Sequence, residues 1–182
     1  MFYTTPEQDL IMQVLQQTGR LRTDQVLRLM RGKYPKAEPR HAEKNLRQLR
    51  YMGKLIFQDD GTVSLPYSPA VDDFMLDAVS VMLDVADGAP SAVSAAKKPY
   101  LLSFLALMGP NKDRLTGFGI LPVPDGEEKQ ALLLAQSSDL PHVPVFLLAG
   151  EHQQKLLTLS RRHYFALRRD GRFQYREGGG AG

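Results

Sequence analysis

Apolar positions recur at helical spacing through the first part of the chain. Leu10, Ile11, Val14 and Leu15 form one stripe and predict a helix. Thr5 serves as its cap, Pro6 suits its first turn, Gln8 completes a capping box with Thr5, and Gly19 is a natural stop. Leu21 falls in a short connection. Thr23 then caps a second helix carrying Val26, Leu27, Leu29 and Met30, which Gly32 ends. After a loop containing Pro35 and Pro39, a third helix runs from about Arg40 to Met52, with Ala42, Leu46 and Leu49 inward. The pattern next turns to alternation. Residues 55–58 and 62–65 read as two short strands around Asp59-Asp60-Gly61, with Leu55 and Phe57 facing Val63 and Leu65.

Pro66 to Pro69 breaks this run, and a helix is predicted over residues 71–86. Phe74, Met75, Ala78, Val79, Val81, Met82 and Val85 cover more than half its circumference, while Asp72, Asp73, Asp77 and Asp84 line the rest. A helix lying on one partner needs a single stripe of roughly 100°. The second stripe therefore predicts a homodimer through residues 71–86, the alternative being a helix sandwiched within one chain. Small residues to Ala96 read as a linker. Beyond it, residues 100–108, 115–123 and 142–149 predict strands, 126–138 and 151–159 helices, and 164–167 with 172–175 a hairpin around Asp170-Gly171. The expected fold is α+β: a three-helix and hairpin module over 1–66, a connecting helix and linker over 67–98, a small α/β domain over 99–177, and a disordered tail over 178–182.

Charge sharpens this picture. Residues 20–54 hold the cations Arg20, Arg22, Arg28, Arg31, Lys33, Lys36, Arg40, Lys44, Arg47, Arg50 and Lys54 against Asp24, Glu38 and Glu43 alone, although the whole chain carries only +3. Such segregation is the footprint of a face that meets a polyanion. The chain has no Cys, which excludes disulfides and thiol chemistry. Its first residues lack a basic-then-apolar leader, and no apolar run approaches the roughly 20 residues of a membrane span, so a cytoplasmic protein without a membrane partner is expected.

On the outer face of the third helix, Arg40, Lys44, Arg47 and Tyr51 share one stripe, flanked by Asn45 and Gln48. Arg and Lys suit phosphates and guanine edges, Asn and Gln adenine edges. Residues 42–55, Ala42 to Leu55, closely resemble the recognition helix and the start of the wing in winged helix-turn-helix domains. That resemblance implies DNA binding, with the third helix in the major groove. Two features depart from it: the loop before the third helix is long, and the wing tip is acidic at Asp59 and Asp60. Either the wing stands off from DNA and Arg20, Arg22, Lys33 and Lys36 make the flanking contacts, or the module has become a protein-interaction scaffold that no longer binds DNA. A winged helix followed by a compact α/β half resembles the replication–relaxation-like proteins of plasmids and conjugative elements, whose second domain is like a degenerate restriction endonuclease. This implies a regulator or accessory factor of a mobile element.

Candidate catalytic patterns are poor. Pro124-Asp125 and Glu127-Glu128-Lys129 hold the letters of a metal-nuclease motif, but side by side in one loop. Asp113, the upstream acid by spacing, is separated from Glu127 by a predicted strand of about 30 Å. His41, His142, His152 and His163 lack metal-ligand spacing, and neither a nucleophile elbow nor a phosphate loop is present. No enzyme activity, metal or cofactor is expected. A last basic cluster surrounds the final hairpin. Arg168, Arg169 and Arg172 there offer either a second nucleic-acid contact or charges that protect a sheet edge.

Overall fold

Thr5 opens the first helix reciprocally: its hydroxyl accepts from the Gln8 amide (3.3 Å), and its own amide donates to Gln8 Oε1 (3.1 Å). Helix α1 (Pro6–Thr18) ends on Gly19, whose left-handed backbone (φ 74°) closes its amide onto the Leu15 carbonyl. The computed structural model describes residues 3–68, 71–95 and 97–179. Mixed α and β elements divide between two units, residues 1–93 and 94–182.

In the first unit, α1 is followed by β1 (Arg20–Arg22), α2 (Thr23–Lys33), α3 (Pro39–Tyr51), β2 (Ile56–Phe57) and β3 (Thr62–Ser64). The strands form an antiparallel sheet in the order β1-β3-β2, with Leu21 and Phe57 on either side of Val63. β1 corrects the expected connection at Leu21. Three residues are too few to show alternation in a sequence, and they become a strand because β3 supplies hydrogen-bond partners. Thr23 is the first residue of α2 rather than its cap, and the Arg22 amide is satisfied by Gln25 Oε1 (2.9 Å). Gly32 likewise lies inside α2 and does not end it. A Cβ on Gly32 would lie 2.0 Å from the Ala89 amide nitrogen, so two backbones meet there with nothing between them.

Helix α4 (Met75–Val85) belongs to this unit and starts later than the expected 71–86; the Pro69 of the predicted break lies outside the described residues. Gln25, itself buried, donates to the Leu76 carbonyl (2.6 Å) and the Ser80 hydroxyl (2.9 Å). Met75, Ala78, Val79, Val81 and Met82 are all buried within one chain. Phe74 and Val85, the ends of the first stripe, are half-buried. Most of both stripes is thus covered within one chain, as the alternative to a homodimer through residues 71–86 expects.

The remaining strands are β4 (Ala92–Ser94), β5 (Leu102–Met108), β6 (Arg114–Val123), β7 (Val143–Leu148), β8 (His163–Arg169) and β9 (Arg172–Gly178), ordered β4-β5-β6-β7-β8-β9 in one sheet. β4 lies in the predicted linker, and the division between units falls within it. β5 and β6 are antiparallel, β6, β7 and β8 run parallel, and β9 returns antiparallel on β8. Helix α5 (Glu128–Ser137) connects β6 to β7. The connection from β7 to β8 carries only a 3₁₀ turn (Glu151–Lys155), not the helix expected to residue 159. Leu157 and Leu159 are both buried with Thr158 exposed between them, so this segment alternates across the core instead of coiling over it. Asp170 (φ 49°) and Gly171 (φ 76°) form the tight turn of the last hairpin.

Leu121, Val123, Phe146, Leu148, Phe165 and Leu167 pack with Ala131 and Ala135 of α5 on one face of the sheet. The expected disordered tail begins too early: β9 includes Gly178, where a Cβ would lie 2.4 Å from His163 Nε2. Residues 180–182 of that tail lie outside the described residues. No helix among the described residues is long and apolar enough to cross a membrane. His142, just before β7, is 9% exposed, and its Nδ1 lacks a hydrogen-bond partner among the described residues. Burial, with a contribution from the Lys97 charge, pushes its pKa below 6.5.

Two outcomes are expected. Gly32→Ala should destabilise the protein by more than about 2 kcal/mol in urea unfolding, because neither backbone has room to retreat. The second concerns pH. The unfolded chain protonates His142 before the folded one does, so stability is level above a pH of about 6.5 and falls below it. His142→Phe should flatten that decline when unfolding is measured between about pH 7.5 and 5.5.

Candidate functional sites

Helix α3 starts at Pro39, and the Glu38 amide donates to His41 Nδ1 (3.0 Å), so His41 serves as a helix-start acceptor. Ala42, Leu46 and Leu49 are buried, which turns Arg40, Lys44, Arg47 and Tyr51 outward together. Arg40 pairs with Glu38 (2.7 Å) and Arg47 with Glu43 (3.6 Å), both as exposed ion pairs that water and salt weaken. The two amides behave differently from the cations. Asn45 Nδ2 donates to the His41 carbonyl (3.0 Å), and Gln48 Oε1 accepts from Gln8 Nε2 (2.7 Å), which ties α3 to the first turn of α1. A cleft beside the stripe is lined by Tyr34, Lys36, His41, Lys44 and Asn45.

The other expected contacts separate into two groups. Lys33 and Lys36 are exposed at the end of α2 and in the loop before α3. Arg20 and Arg22 instead face acids of the same unit. Arg20 bonds Asp60 and Thr62, while Arg22 bonds the Ser80 hydroxyl (2.7 Å) and lies 3.8 Å from Asp77. Arg28 pairs with Asp84 of α4. Asp60 accepts from both the amide and the hydroxyl of Thr62, and these bonds with Arg20 hold its carboxyl below the usual range. Half of the acidic tip is thereby compensated.

The basic hairpin does not offer one patch. Arg169 stands opposite Arg172, whereas Arg168 stands opposite Phe173 and so points to the other face. Arg169 is also paired with Glu151.

A constellation absent from the sequence reading lies at the carboxyl ends of the parallel strands. Asp125, Glu128 and His152 each place a ligand-type atom within 4.8 Å of the others. Asp125 follows β6, Glu128 begins α5, and His152 sits in the 3₁₀ turn after β7. The buried Gln153 organises them. Its Nε2 donates to Glu128 Oε1 (2.9 Å) and the Val123 carbonyl (3.0 Å), and its Oε1 accepts from the amides of Ala149 (2.8 Å) and Gly150 (3.2 Å). The Gln153 bond, with the Gly126 amide, lowers the Glu128 pKa and keeps the carboxylate ionised. Asp113 stands at the opposite end of β6 from this group, as the strand predicted between it and Glu127 requires. The missing signal was parallel pairing, since the loops after β6 and β7 become neighbours only when those strands run the same way.

Gln153→Leu should destabilise the protein by about 2–4 kcal/mol in denaturant unfolding, because it leaves buried amides and carbonyls of two loops without partners. No family model, curated protein or solved structure matches this chain.

Proposed function

We propose that the first unit is a winged helix-turn-helix that binds DNA through α3, as a regulator or accessory factor of the kind its resemblance implies. The element order α1-β1-α2-α3-β2-β3 and the sheet order β1-β3-β2 support this reading. One observation carries it. The half-buried Arg20, Arg22 and Arg28 meet acids distant in sequence, while Arg40 and Arg47 pair with neighbouring acids of α3 and its cap and stay exposed with Lys44, Lys33 and Lys36. Positive charge is thus concentrated on the outer face of α3, opposite its buried Ala42, Leu46 and Leu49. In this reading Arg40, Lys44 and Arg47 contact phosphates and base edges, and Tyr51 flanks them. Asn45 and Gln48 reach bases only by exchanging their present partners.

A second reading has one specific support: those same two amides are engaged inside the unit, as expected of a helix used for packing. In that case the unit is an interaction scaffold.

The variant with Arg40, Lys44 and Arg47 all changed to Ala separates the two. On the DNA reading it keeps its helical circular dichroism and binds mixed-sequence duplex much more weakly than the parent. The slope of log affinity against log salt should flatten by about 0.9 for each phosphate that the variant no longer neutralises. Equal binding by parent and variant, or none by the parent at low salt, would favour the scaffold.

A further inference from the structure

The second unit gathers groups of a different chemistry. Because β6 and β7 are parallel neighbours, Val123 and Leu148 end side by side, and their loops diverge from the same edge. In sheets with parallel strands this carboxyl edge is the ordinary place for a ligand. Asp125, Glu128 and His152 meet there, and His152 Nε2 already lies 3.6 Å from Asp125 Oδ1.

Glu128 supplies an independent observation. It is only 8% exposed, yet among the described residues neither it nor Asp125 has a Lys or Arg partner. Carboxylates drawn into a protein are paired with a cation or coordinate a metal. Arg169 and Arg176 of β8 and β9 both pair with Glu151 instead. Gln153 holds the Glu128 carboxylate from behind, as an outer partner holds a metal ligand in place.

We propose that Asp125, Glu128 and His152 form a binding site for one divalent first-row cation of the manganese or zinc type. Two carboxylate oxygens and an imidazole nitrogen suit such ions, and three protein ligands leave positions for water. Three ligand atoms at about 2.1 Å from one ion in a tetrahedral or facial octahedral set lie about 3.0–3.4 Å apart. Binding therefore draws the exposed Asp125 and His152 side chains inward by about an ångström, while Glu128 stays in place. The proposal does not rest on α3 binding DNA.

The full chain, stripped with EDTA, is titrated with MnCl₂ while free Mn²⁺ is followed by electron paramagnetic resonance. One saturable site per chain is expected, with Zn²⁺ competing and Ca²⁺ binding far more weakly because imidazole is a poor calcium ligand. His152→Ala, an exposed change that leaves the fold intact, should weaken Mn²⁺ at least tenfold. Asp125→Asn should do the same, and Glu127→Gln, one residue from the site, should change affinity less than twofold. Absence of saturable binding, unchanged affinity in His152→Ala, or equal affinity for Ca²⁺ and Mn²⁺ would each overturn the proposal.

Discussion

Where Gly32 of α2 meets Gly88 beyond α4, two backbones touch with no side chain between them. This approach sets how far α4 can settle onto α2, and the polar groups along the same seam follow from it. Gln25 reaches the Leu76 carbonyl and Ser80, Arg22 reaches Ser80 and Asp77, and Arg28 reaches Asp84. A side chain at either glycine would push the helices apart and lengthen every one of these contacts. The seam also distributes charge. It meets one flank of the basic segment with acids that lie far along the chain, and leaves the α3 flank with exposed local pairs and exposed lysines. Surface electrostatics here is a consequence of helix packing.

The second unit depends on a comparable economy of polar groups. Gln153 is buried, and its amide is shared among the carbonyl end of β6, the amides after β7 and the carboxylate that begins α5. Such a residue is costly to bury unless every donor and acceptor finds a partner, and here they do. The same hydrogen bonds that close the loops give Glu128 a single orientation beside Asp125 and His152. Rigidity in the supporting residue and exposure in the other two suit a site that closes on an ion.

The long elements were legible from residue pattern. α1 and α3 show their apolar stripes, Thr5 with Gln8 marks a helix start, and Asp170-Gly171 marks the last hairpin turn, each through interactions of residues near in sequence. The same holds for the outward stripe of Arg40, Lys44 and Arg47, since a helix with a buried Ala42, Leu46 and Leu49 has one solvent face. Less was legible where the cause lies far along the chain. β1 exists through β3, Gly32 is glycine where Gly88 and Ala89 pass too close for a Cβ, and the stretch at Leu157 and Leu159 extends because both leucines meet the core.

The sequence by itself determined the α+β class, the division of the basic segment into a helix with one charged face, and the absence of cysteine chemistry, because each depends on local spacing or on composition. Only the tertiary structure decided that α4 buries the middle of both its stripes within one chain, that Arg20 and Arg22 meet acids of the same unit, and that Asp125, Glu128 and His152 stand together. Those outcomes depend on the direction of strand pairing and on the approach of helices, and neither is written in the periodicity of a segment read alone.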